Sequence, residues 1–164
     1  MRASTTLSIT VKHMDSFRVA YVTHRGPWAD VGIAFRELAN RLWARQVRPT
    51  GPYLALHGRP PSRPTSRSPI AAAAQVALAT RPREGLDLMD VPASEVAAVI
   101  FDGPASRLGE AFQVLARWIR DHGYIPTGPF REIHVPDLSS LPPGIVHAEL
   151  QVPVREARRK GSTA

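Results

Sequence analysis

Hydrophobic positions along this chain follow two periods, and the pair of periods occurs twice. Phe17–Thr23 and Glu95–Phe101 are short runs rich in β-branched and aromatic residues that end at a Gly-Pro pair, the pattern of strands closed by a turn. Beyond each turn the period lengthens. Val31, Phe35, Leu38 and Leu42 are spaced 4, 3 and 4, and Leu108, Phe112, Leu115 and Ile119 repeat that spacing, so each set lines one helical face. Helices are therefore predicted over about Asp30–Arg45 and Ser106–His122, with Asp30 and Ser106 as N-caps and Gly123 ending the second. The Pro-Thr-Gly-Pro turns that follow lead into strands Tyr53–His57 and Phe130–Val135. Further strands are expected at Leu7–His13, Gln75–Thr80, Leu86–Asp90 and Val146–Val152. The alanine-rich Ile70–Ala77 has helical propensity, and only its end is assigned to a strand.

The two halves are copies. Shifted by 77 residues, Val19–His57 falls on Val96–His134 without a gap, and 15 of the 39 positions are identical. Chance would give roughly two or three at ordinary residue frequencies. Gly26-Pro27 falls on Gly103-Pro104, Pro49-Thr50-Gly51-Pro52 on Pro126-Thr127-Gly128-Pro129, and His57 on His134. Neither unit, with one helix, can cover its own sheet. Joining the sheets with both helices on one side predicts an α+β fold with pseudo-twofold symmetry, built from duplicated strand–helix–strand–strand units in an antiparallel sheet. The expected organisation is a single domain over 1–164, with repeat one at about 7–80 and repeat two at about 84–154. A ligand is expected on the opposite sheet face or in the cleft at the symmetry axis.

Charge changes this picture less than its total suggests. The net charge is +7 over 164 residues, but Arg59–Pro69 holds three arginines and no acid, and Arg155–Lys160 a net +3. Subtracting both leaves 7 − 3 − 3 = +1 for the remainder. The basic excess thus belongs to a Pro/Ser/Arg loop at 59–69 and a tail at 155–164, both expected to be flexible, and not to a nucleic-acid groove. No helix-turn-helix precedes the first strand, so no DNA-binding motif is expected. Cysteine is absent, which excludes disulfides and thiolate chemistry. No apolar run reaches membrane-spanning length and no signal peptide is visible, which makes the cytoplasm the expected location. The six histidines show no HxH or HExxH spacing, so neither a metal nor a cofactor is expected.

Candidate chemistry lies where the copies differ. On the last helix-following strand, alternation puts Phe130, Glu132 and His134 on one face, with Ile133 and Val135 on the other, taken to point at the helices. The matching face of the first copy is Tyr53, Ala55 and His57, so a single glutamate replaces an alanine. Glu132 is either a wet surface residue paired with an arginine such as Arg131 or Arg18, or a pocket carboxylate whose pKa partial desolvation raises. Trp28 stands after the first Gly-Pro where the second copy has Ala105, and either walls a pocket or plugs the core. Tyr21 and His24 are pocket or surface. Trp118 and Trp43 are expected to pack within the helix layer.

The segments VAYVTHRGPW, EVAAVIFDGPASRLGEAFQVLARWI and GPFREIHV, with the closing QVPV, resemble the GyrI-like small-molecule-binding domain over about Leu7–Val154. That family includes the effector-binding domains of AraC- and MerR-type regulators and free-standing forms. The resemblance implies a pocket between the repeats with a glutamate at its base, the position of Glu132. The family's usual Glu-x-Tyr reads Glu-x-His here, with His134, and its usual aromatic after the second Gly-Pro is Ala105. The function implied is binding of a lipophilic, aromatic or cationic small molecule by Glu132, His134, Phe130, Tyr53, Trp28, Tyr21 and His57, in a receptor or resistance role. A second reading is a hydrolase of strained, cyclopropane-type electrophiles using Glu132 and His134. A third is a protein-interaction module of the gyrase-inhibitor kind.

Overall fold

The computed structural model describes residues 7–58, 67–134 and 144–158. The greater part of the loop expected at 59–69, Val135 and the tail beyond 158 lie outside these residues. In chain order the elements are β1 (Thr10–Met14), β2 (Phe17–His24), α1 (Val31–Ala44), β3 (Tyr53–His57), β4 (Ile70–Val76), β5 (Asp87–Val91), β6 (Ser94–Pro104), α2 (Leu108–Asp121), β7 (Tyr124–Pro126), β8 (Phe130–His134) and β9 (Ile145–Glu156). Adding 77 to the bounds of β1, α1 and β3 gives those of β5, α2 and β8 residue for residue. The duplication therefore reaches further back than the identities do.

All nine strands form one sheet, in the order β1-β6-β9-β8-β3-β4-β2-β5, with β7 attached to β9 and every pairing antiparallel. The repeats exchange their first strands: β1 of the first pairs with β6 of the second, and β5 of the second with β2 of the first. This topology forces curvature. Six steps separate β1 from β2 in the sheet, about 29 Å if flat, yet only Asp15 and Ser16 join them. Two residues bridge at most about 10 Å. The sheet must curl, and the symmetry-related link Pro92-Ala93 curls it again.

Both helices lie on one face, α1 over β2 and β4, α2 over β6 and β7. Ala34, Leu38 and Leu42 of α1 pack on Ala20, Val22, Ala72, Ala74 and Val76. Leu108, Phe112, Leu115 and Ile119 of α2 pack on Ala97, Val99, Leu150 and Val152. Each fully buried Leu, Ile or Phe contributes about 1.5–3 kcal/mol, so these stripes carry much of the stability. Inside the curl a third cluster joins Phe17, Val19, Leu54, Leu56, Ala73 and Val91.

Several expectations need correction. The alanine run is strand from Ile70 to Val76, and the strand ends there instead of reaching Thr80. Ladders to β2 and β3 on both sides outweigh alanine's helical propensity, and the small side chains let α1 approach. Each helix is entered through a 3-10 turn, Trp28–Asp30 or Ala105–Arg107. Asp30 holds the N-cap position of α1 without a side-chain bond, and Arg107, not Ser106, holds that of α2. Trp43 is 87% exposed, lying one residue off the α1 stripe, whereas Trp118 packs against the α2 core.

Gly123 follows α2 with φ +77°, and its repeat equivalent Gln46 follows α1 with φ +55°. A side chain in this left-handed conformation costs about 1 kcal/mol relative to glycine. Gln46→Gly is expected to raise the unfolding free energy by roughly 0.5–1 kcal/mol, measured by urea denaturation. Destabilisation would mean the Gln46 side chain makes a contact that outweighs its backbone strain.

Candidate functional site

Strands β3 and β8 join the two repeats, in the register Leu54↔Ile133, Ala55↔Glu132, Leu56↔Arg131 and His57↔Phe130. Ala55 and Glu132 are also repeat equivalents, 77 residues apart. Two equivalent residues facing each other across a ladder define the pseudo-twofold axis. Glu132 therefore stands on the axis, beneath the helices.

Its face is the opposite of the one expected. Ala55 and Phe130 belong to the core under α2, while Ile133 packs with the cluster inside the curl. Both sides of β8 are covered, one by helices and one by the curled sheet, so alternation of residue types could not orient the strand.

The glutamate is 4% exposed and its two oxygens are divided between the repeats. His57 Nε2 donates to Oε2 at 3.2 Å, and His134 Nε2 donates to Oε1 at 3.2 Å. A carboxylate only accepts, so the proton of each imidazole lies on Nε2. Burial by itself pushes the Glu132 pKa up; the hydrogen bonds from His134 and His57, together with their electrostatic attraction, overcome it and bring the value down to about 2. The expected rise is thus reversed, because the desolvated carboxylate has two donors aimed at it. Arg18 pairs with Asp90 instead, and Arg131 points to the other face.

Aromatic rings enclose this clamp with the same symmetry. Phe112 meets the His57 ring at 5.7 Å, and its equivalent Phe35 meets His134 at 5.6 Å, both edge to face. Phe112 also contacts Phe130 at 5.8 Å and Phe35 contacts Tyr53 at 6.1 Å. Phe35 and Phe112 read in the sequence only as helix-stripe residues. Their identity at equivalent positions, one above each histidine, was the available signal.

The symmetry fails at one place. Trp28 stands edge-on to His57 at 6.2 Å, and His57 is 1% exposed. Its repeat equivalent is Ala105, which supplies no ring. The His134 side chain is 11% exposed, and its buried Nδ1 has no hydrogen-bond partner among the described residues. The structure thus brings Glu132, His134, Phe130, Tyr53, Trp28 and His57 together. Tyr21 is not among them: it packs inside the curl, on the other face. His24 is occupied by the turn, with Nε2 donating to the Pro27 carbonyl at 2.7 Å.

The repeats thus form one duplicated sheet that carries two helices on one face and an aromatic-walled carboxylate on its axis. The family model of the GyrI-like small molecule binding domain matches residues 7–155, and the chain belongs to that family. Among solved structures it is similar to the EcmrR C-terminal domain, with TM-score 0.79 and 17% identity over 93% of this chain and 99% of that one. It also resembles EcmrR in its DNA complex, with TM-score 0.74 and 18% identity, covering 93% of this chain but 58% of that chain. A hydrolase from Listeria innocua has TM-score 0.66 and 12% identity, with 90% of this chain and 92% of that one covered. SAV2435 bound to tetraphenylphosphonium has TM-score 0.55 and 9% identity, over 90% and 94% of the two chains. At these identities the likeness is one of fold. No curated protein matches the sequence significantly. Among the described residues no helix is long and apolar enough to cross a membrane.

Proposed function

We propose that this protein binds a lipophilic aromatic cation between its repeats, entering beside His134 and seated against Glu132. The observation that carries this reading is the buried, ionised carboxylate on the axis, held by two imidazoles and ringed by Phe35, Phe112, Phe130, Tyr53 and Trp28. A cation in that ring meets π faces and a negative charge together. Ala105 leaves the His134 half less covered than the Trp28 half, so His134 is the donor that yields Oε1 to the ligand. Binding of tetraphenylphosphonium by SAV2435 supports this class of ligand for the fold.

Titration with tetraphenylphosphonium, followed by tryptophan fluorescence, tests the reading. Glu132→Gln keeps the shape and removes the charge, and affinity is expected to fall at least tenfold, about 1.4 kcal/mol. Neutral triphenylphosphine oxide should lose much less. Ala105→Trp restores the missing ring and should weaken both ligands. Equal affinity of native and Glu132→Gln protein for the cation would sink the proposal.

Hydrolysis of a strained electrophile is the second reading, favoured by the fold likeness to the Listeria innocua hydrolase. A carboxylate with a pKa of about 2 is a weak proton acceptor at neutral pH. Glu132 would have to leave its histidines before acting as a base, which places binding first.

A further inference from the structure

The outer faces of the two helices, which the repeat makes equivalent, carry opposite kinds of residue. On α2 the positions turned away from the sheet include Glu110, Arg120 and Asp121, all exposed, as suits a water-facing helix. Their equivalents on α1, 77 positions earlier, are Ile33, Trp43 and Ala44, and these are exposed as well. Single apolar side chains on a surface are ordinary. Here the second copy shows that the fold accepts charge at all three places, so packing within the chain does not require the apolar residues of α1.

The α1 face is self-complementary when a copy of it is laid antiparallel. Ala34, Leu38 and Leu42 are buried against the sheet, so the opposite side, around Arg36 and Asn40, is the outermost. Gly32 and Ile33 stand at its N-terminal end and Trp43 and Ala44 at its C-terminal end, at mirrored distances from Leu38. Reversing the copy brings Trp43 over Gly32 and Ile33 over Ala44, a large side chain over a small one at each end. A Cβ on Gly32 would meet nothing within 4 Å, so the space above it is open to an indole. Between the ends Arg36 comes opposite Asn40, whose amide oxygen accepts from a guanidinium. At one edge Glu37 comes opposite Arg41, the partner it already has within its own helix, so acid again meets base. The same operation on α2 lays Glu110 over Asp121, acid on acid, which disfavours self-docking there.

We infer that a second copy of this chain docks on α1, the two helices antiparallel about a twofold axis level with Leu38. Each contact then occurs twice, as an isologous interface demands. One helix of 14 residues from each copy makes a small interface. Below about 1,200 Å² of buried area, association is weak and reversible. The dimer is therefore a micromolar one, with an indole at each end as its anchor. It forms on the outside of the helix layer and does not depend on the cation reading.

Sedimentation velocity of the full chain, from low to several hundred micromolar, should show a reversible monomer–dimer equilibrium. Trp43→Arg installs the residue that α2 carries and should weaken dimerisation at least tenfold, because a charge replaces an anchor. Gly32→Gln fills the space that the partner's indole needs, and should also weaken dimerisation at least tenfold. Its dilute monomer should melt no lower than the native one, since a helix gains by losing a glycine. Glu37→Arg and Arg41→Glu should each weaken self-association. An equimolar mixture of the two should recover it, because unlike charges then face each other again across the interface. A native chain that stays monomeric throughout, or undiminished association in Trp43→Arg or Gly32→Gln, would overturn the inference. So would a mixture that associates no better than its components, or a Gly32→Gln monomer that melts lower, which would tie the glycine to the fold instead of a partner.

Discussion

Ala55→Glu is expected to destabilise the protein far more than Ala55→Gln, by about 2–3 kcal/mol at pH 7 beyond the shared cost of overpacking. Ala55 is fully buried and faces Glu132 across the ladder. Directly opposed residues hold their Cβ atoms roughly 5 Å apart, so the variant would bring two carboxylates together on the axis. One of them must then bind a proton, and its pKa rises above the unfolded value. A raised carboxyl pKa gives a contribution that is complete below the unfolded pKa and is lost as pH rises through the folded one. The gap between Ala55→Glu and Ala55→Gln should therefore close towards pH 4, when measured by urea unfolding from pH 4 to 8. A gap that does not change with pH would mean the carboxylates never meet, and the axis would not pass where the register puts it. The same argument explains why the repeats carry only one glutamate. A residue on the axis serves both halves, and its equivalent has to be small and uncharged.

The second large effect is a loss of stability in acid that traces to one side chain. Folded Glu132 titrates at about 2, against 4.5 for an ordinary glutamate. With the folded pKa depressed, the contribution of its clamp is fully present above about pH 4.5 and disappears as pH falls towards 2. The 2.5-unit difference corresponds to roughly 3 kcal/mol. Unfolding free energies of native protein and Glu132→Gln, compared at intervals from pH 6 to pH 2, should converge by about that amount. Curves that stay parallel would show that the two histidines do not hold the carboxylate. The affinity loss expected of Glu132→Gln would then have to arise from ligand contacts alone.

How far the sequence reached differs between fold and site. The 77-residue offset recovered the strand–helix–strand order of both copies, and the spacing of Val31, Phe35, Leu38 and Leu42 placed α1 to within a residue or so. These succeed because periodicity and turn chemistry are local, and duplication lets each copy check the other. The short β7 carried no pattern of its own, since its three residues are strand only through pairing with β9. The full length of β4 was hidden because alanine's local preference opposes the ladders that hold it.

By itself, the sequence determined that the chain is a duplication, which residues form the two helical stripes, and that Glu132 is the one carboxylate set against an alanine. Tertiary structure alone decided the rest. Strand exchange between repeats and the two-residue links curl the sheet, so both faces of β8 are buried and the glutamate turns towards the helices. Pairing of β3 with β8 places Ala55 and Glu132 on the axis and brings His57 and His134 to one oxygen each. Those contacts join residues 75 positions apart in one case and two in the other. No local pattern encodes such a convergence, because it depends on the register between strands of different repeats, and that register is set by the packing of the whole sheet.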